Sequence, residues 1–175
     1  SYRQAAAAVA SSRGRNPADT ALRLLDGYVR LQMRDFAEAA QLARNVLAQD
    51  PWSANAGVLL GLATRWGGDT EDAIRCFKQV IYATPECWPA RFYLADLLRA
   101  VNEPQARREY GTVLRQIRTA TDPDGGLLLP LNLTLATLVT TNLATIVSTI
   151  HVIPPSLIRL DDGYLVYLNY IIFKS

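Results

Sequence analysis

Pro51 and Pro85 stand 34 residues apart, and the side-chain sizes around them recur at the same interval. Gly27 falls on Gly61, Ala39 on Ala73, Val46 on Val80 and Leu47 on Ile81. A third copy follows with one residue deleted at its centre: Leu94 and Ala95 stand for Leu60 and Gly61, and Ala106, Tyr110, Val113 and Leu114 for Ala73, Phe77, Val80 and Ile81. An interval of this kind constrains the chain more than its composition does. Each copy is one supersecondary unit that cannot bury its own apolar face, so successive copies must stack.

The local signals within each copy predict two helices. Apolar residues recur at helical spacing, and a turn signal divides each copy: "RDFAE" offers Asp35 with Glu38, "GGDTED" offers Asp69 with Asp72, and "NEPQ" offers Asn102 with Gln105 and Pro104 in the first turn. The expected pairs are 17–33 with 36–49, 53–66 with 70–83, and 88–101 with 104–118. Two antiparallel helices approach closely only where side chains are small, which gives Gly61 and Ala73 the near contact and leaves Phe77 to fill the space one turn on. Pro85 ends the second helix and turns the chain into the next copy.

This pattern resembles the tetratricopeptide repeat. The resemblance covers 17–121 and is clearest in the second copy, while in the first Asp26 replaces a large apolar residue and Ala43 an aromatic one. It implies an all-α solenoid of three helical hairpins over 17–51, 52–85 and 86–121. Residues 1–16 precede it as a helix and linker, with Asn16 and Pro17 opening the first repeat. The composition changes abruptly near "DPDGG": no formal charge lies between Asp124 and Arg159 apart from His151. The tail 122–175 therefore reads as a capping helix over 133–147, a β-hairpin about Asp162 and Gly163, or non-native sequence past a junction. Its apolar run is borderline for a membrane span because threonine, asparagine and Pro130 interrupt it.

In this repeat the first helices line a concave surface that receives a partner's peptide or helix. Carried over by alignment, that surface comprises Leu24, Tyr28 and Leu31 from the first copy, Asn55, Val58, Leu62, Arg65 and Trp66 from the second, and Phe92, Asp96 and Arg99 from the third. Aromatic anchors beside arginines suit an amphipathic or extended protein segment with some acidic groups. The lysine and asparagine clamp that grips C-terminal carboxylates in one subset of the family is replaced here by Leu24, Tyr28, Leu59, Pro89 and Tyr93. A narrower resemblance lies in "CWPARFYLADLLRA", "ARREYGTVLRQI" and "GGLLLPLNLT", which are similar to repeats found behind chemotaxis-type receptor methyltransferases of bacteria. It implies a non-catalytic, regulatory portion of an S-adenosylmethionine-dependent enzyme, with a chemoreceptor or signalling protein as partner.

Charge and chemistry narrow the classes further. A net charge of +2 with acids interspersed among the bases gives no phosphate-binding field, so nucleic acid is not expected. Cys76 and Cys87 lack metal-ligand spacing, and His151 has no ligand pattern about it. No glycine-rich loop follows a strand, so neither a cofactor nor catalysis by this chain is expected. Reduced thiols and the lack of a leader point to the cytoplasm. The expected function is a protein–protein interaction scaffold, with structural self-association as a further alternative. Trp52, Trp66 and Trp88 are expected to pack between repeats, Trp66 having the best claim to the groove.

Overall fold

The structure is a computed structural model that describes residues 2–15 and 19–119. Seven α-helices, and no strand, occur among the described residues: α1 (Tyr2–Arg15), α2 (Thr20–Gln32), α3 (Phe36–Leu47), α4 (Ala54–Trp66), α5 (Thr70–Ala83), α6 (Trp88–Leu98) and α7 (Glu103–Thr119). The expectations for the tail lie outside the described residues, as do Asn16 and Pro17. The helix α1 runs on through Arg13, Gly14 and Arg15. The first repeat is opened by Asp19, whose carboxylate accepts from the Ala21 and Leu22 amides at 2.9 and 3.1 Å.

The helices pack in series. The pairs α2–α3, α4–α5 and α6–α7 form hairpins, α3 then packs on α4 and α5 on α6, and α1 lies against α2. The first helices α2 and α4 also touch each other. They therefore lie on the inner side of the stack, with α3 and α5 outside.

The turns explain the repeat at backbone level. After α2 the Arg34 amide donates to the Leu31 carbonyl and the Asp35 amide to that of Arg30; after α4, Gly68 and Asp69 make the same pair of bonds to Arg65 and Thr64. This closure needs a left-handed residue, and Gly68 supplies it at φ 100°. Arg34 occupies the same place at φ 65° without glycine's freedom. The third copy, one residue shorter, instead directs the Val101 and Asn102 amides to the Leu98 carbonyl. Asp69 and Asn102 cap the following helices through the Asp72 and Gln105 amides. Asp35 makes no side-chain cap; its carboxylate takes the Arg30 guanidinium at 3.4 Å instead.

Close packing follows the small residues. A Cβ at Gly61 would lie 2.6 Å from the Phe77 ring, which supplies the nearest contact. A Cβ at Gly27 would lie 2.4 Å from Leu59, in the next hairpin. Phe77 stacks on Tyr93 at 5.7 Å between ring centres and so ties the second hairpin to the third. Asp26 is fully buried and pairs with Arg30 one turn on, at 3.3 Å. That bond, more than the neighbouring charge alone, holds the Arg30 guanidinium above its ordinary range.

Candidate functional site

The inner faces of the first helices divide into a buried floor and a reachable rim. Tyr28, Leu31, Val58, Leu62 and Phe92, all expected to line an open groove, are buried, as is Leu24. Their burial follows from packing of the helices themselves. Phe92 meets Tyr93 edge-on at 5.5 Å and reaches Tyr110 of α7 at 6.0 Å, inside its own hairpin. Burial raises the Tyr28 hydroxyl's pKa, with smaller contributions from Tyr93 and Cys87.

The rim consists of the remaining expected residues, and beneath it lies one buried residue that the groove assignment did not include. Arg65 of α4 forms an ion pair with Asp96 of α6, and its guanidinium lies 6.0 Å from the centre of the Tyr93 ring. Arg65 is thus not waiting for a partner's acid; it joins two repeats. Asn55 is half-buried and Arg99 exposed. Trp66 is 39% exposed and rests against Phe36 at 6.4 Å, so it both packs between repeats and shows a face to solvent. Trp88 is buried as expected, whereas Trp52 is 68% exposed and does not fill an inter-repeat space.

The residue not selected as a groove contact is Tyr93. Its ring is buried against Phe77 and Phe92, and its hydroxyl is buried with no hydrogen-bond partner. Burial drives its pKa up; Arg65 lowers it and Asp96 raises it. An unsatisfied buried hydroxyl beside an ion pair costs stability, which makes it the polar position on this face that a ligand could satisfy. The signal lay in the alignment itself, where Tyr93 follows Leu59 by one repeat length and substitutes a phenol for an alkyl chain.

Chemistry beyond binding finds no assembly. Among the described residues no group of histidine, cysteine and acidic side chains could hold a metal ion. Both thiols are raised by burial, Cys76 further by Asp72, Cys87 further by Glu86. No helix among the described residues is long and apolar enough to cross a membrane.

No protein-family model matches this chain, and no curated protein does. Solved structures do. TTC0263, a thermophilic TPR protein of Thermus thermophilus, superposes with a TM-score of 0.66 at 14% identity, over 99% of this chain and 82% of its own. The chain has the tetratricopeptide-repeat fold. Two structures of MamA show a similar likeness. MamA 41-end from Desulfovibrio magneticus RS-1 gives a TM-score of 0.59 at 21% identity, over 69% of this chain and 68% of that one. The MamA RS-1 ArsTM double mutant gives 0.58 at 22%, over 67% and 66%. The match to these MamA chains thus spans about two thirds of their length. Identities this low establish the tetratricopeptide-repeat architecture and leave function to the site. The methyltransferase resemblance gains no support from these comparisons.

Proposed function

We propose that this chain is a protein–protein interaction scaffold whose partner engages the rim of the inner face, at Trp66, Asp96 and Arg99, above the buried Tyr93. The observation that carries this reading is the buried, unpartnered Tyr93 hydroxyl beside the Arg65–Asp96 ion pair. A partner segment that lays an apolar side chain on Trp66 reaches the Tyr93 hydroxyl, buried in the free chain, only where the side chains covering it give way. Exposed Arg99 favours an acidic group on the same segment. The repeat fold and the tetratricopeptide pattern of the sequence support membership of that family and a docking role without catalysis. The buried floor then serves to hold the first helices at fixed spacing, and the expected contacts Tyr28, Leu31, Val58, Leu62 and Phe92 act from beneath.

The test is a crosslinking pull-down with the intact chain, Trp66→Ala, Arg99→Glu and Tyr93→Phe. Each substitution should weaken capture of the same partner, Trp66→Ala most, while circular dichroism stays unchanged. Capture that survives all three would remove the rim from consideration.

A further inference from the structure

On the outer side of the first two hairpins a cavity of about 610 Å³ opens between α3 and α5. On α4 it uses Ala54, Gly57 and Leu60, a different stripe from Asn55, Val58 and Leu62 of the inner face. Leu47, Leu60 and Val80 form apolar walls, and Trp52 and Tyr82, 68% and 85% exposed, stand at its edge. The volume falls within the roughly 300–1,000 Å³ of small-molecule sites, which are apolar with a few placed polar groups.

The repeat provides an internal control. One repeat length on, Ala54 becomes Trp88, Gly57 becomes Arg91, Cys76 becomes Glu109 and Ala83 becomes Gln116. Those larger residues close the corresponding space in the third hairpin: Arg91 of α6 pairs with Glu109 of α7 at 2.8 Å, and Arg91 and Gln116 both donate to the carbonyl of Pro85, in the link from the second hairpin, at 3.1 and 2.7 Å. Among the described residues no ion pair spans from α4 to α5; there the Cys76 side chain meets that of Thr64 in place of the Arg91–Glu109 pair, and Pro51 and Trp52 line the cavity.

The polar lining is Ser53, Cys76, Gln79 and one charged side chain, Lys78. Lys78 lines the cavity and has no hydrogen bond or ion pair among the described residues, and neither has Arg44, whose charge acts on the Cys76 thiol. Asp72, which also acts on Cys76, is held by Arg75. Asp50 accepts the Trp52 amide at 3.1 Å.

We propose that this furrow binds a small amphipathic anion, an aliphatic or aromatic body carrying a carboxylate. The body lies against Trp52 and Tyr82 over Leu47, Leu60 and Val80, and the carboxylate meets the Lys78 ammonium. This site is separate from the inner rim and stands whether or not that rim engages a partner.

The test is amide NMR of the full chain titrated with three probes: sodium decanoate below its micelle concentration, decanol, and an acetylated, amidated peptide with one phenylalanine flanked by glutamates. Decanoate should give saturable shifts in the backbone around Leu47 and from Cys76 to Ala83. Decanol should bind more weakly, and Lys78→Gln should weaken decanoate by about threefold, the scale of an exposed ion pair. The paired change Cys76→Glu with Ala83→Gln, which brings in the two larger α7 side chains of the bridged copy to fill the cavity, should abolish the shifts. Lys78→Gln alters an exposed side chain, so it reports even if the paired variant fails to fold. Decanoate shifts centred elsewhere, or unchanged affinity in Lys78→Gln, would overturn the proposal. So would binding of the peptide alone, which would make the furrow a protein-docking surface.

Discussion

In the third hairpin and the link that leads into it, Arg91 crosses from α6 to Glu109 on α7, shares the Pro85 carbonyl with Gln116, and has buried Trp88 one turn before it. Where the first and second meet, the same positions hold Gly57, Cys76, Ala83 and Ala54, around a cavity. Both junctions keep the proline after the second helix, Pro51 and Pro85. The difference teaches that the repeat fixes helix placement while the residues between its framework positions decide whether a junction is closed or left accessible.

The largest effect should come from removing the buried tryptophan of the bridged junction. Trp88→Ala is expected to cost about 3–5 kcal/mol, measured by urea unfolding. Next is Arg91→Ala, which leaves Glu109 and the Pro85 carbonyl short of a donor. The pair is only 17% and 19% exposed, and about 1–3 kcal/mol is expected, with a double-mutant cycle against Glu109→Ala to isolate the coupling. If Arg91→Ala proves neutral, the contrast between the junctions loses its energetic content.

Alkaline titration sharpens the comparison at the third hairpin, which carries Tyr93 and Tyr110 where the second has Leu59 and Phe77. Burial pushes Tyr110 up to about 12 from 10.0, and Tyr93 is raised further. A hydroxyl that keeps its proton longer when folded contributes stability that is complete below the unfolded value. That stability is lost as pH rises from about 10 through 12. Tyrosinate absorbance and circular dichroism recorded together should show these residues ionising as the chain unfolds.

A smaller gain is expected from Arg34→Gly, which gives the first turn the residue that the second has at Gly68. Relief of a left-handed φ of 65° should add about 0.5–1 kcal/mol, less the entropy that glycine adds to the unfolded chain. Smallest is Trp52→Ala at the open junction, expected within about 0.5 kcal/mol of neutral because the ring is exposed.

The framework was legible because sterics write it into every copy. Gly61, Phe77, Pro85 and the caps Asp69 and Asn102 were readable from spacing and turn chemistry alone. The cap expected of Asp35 failed because Arg30, one turn before the helix end, competes for its carboxylate. Alignment found the inner face but could not grade depth. Phe92 and Tyr28 occupy groove positions, yet rings of this size turn into contacts with neighbouring helices. Arg65 looked available because its partner Asp96 lies 31 residues away, in the next repeat. The cavity was illegible in one copy, since it appears only when Ala54 and Gly57 are compared with Trp88 and Arg91.

The two cysteines give the most direct test of a closed and an open junction. Cys76 lines the furrow and is half-buried, while Cys87 is buried where α6 begins. Reacted with a thiol-specific disulfide reagent in native buffer, the chain should show one faster phase that Cys76→Ser removes, and a second that appears at the rate of unfolding. Equal rates, or a faster phase that survives Cys76→Ser, would contradict the difference on which the account rests.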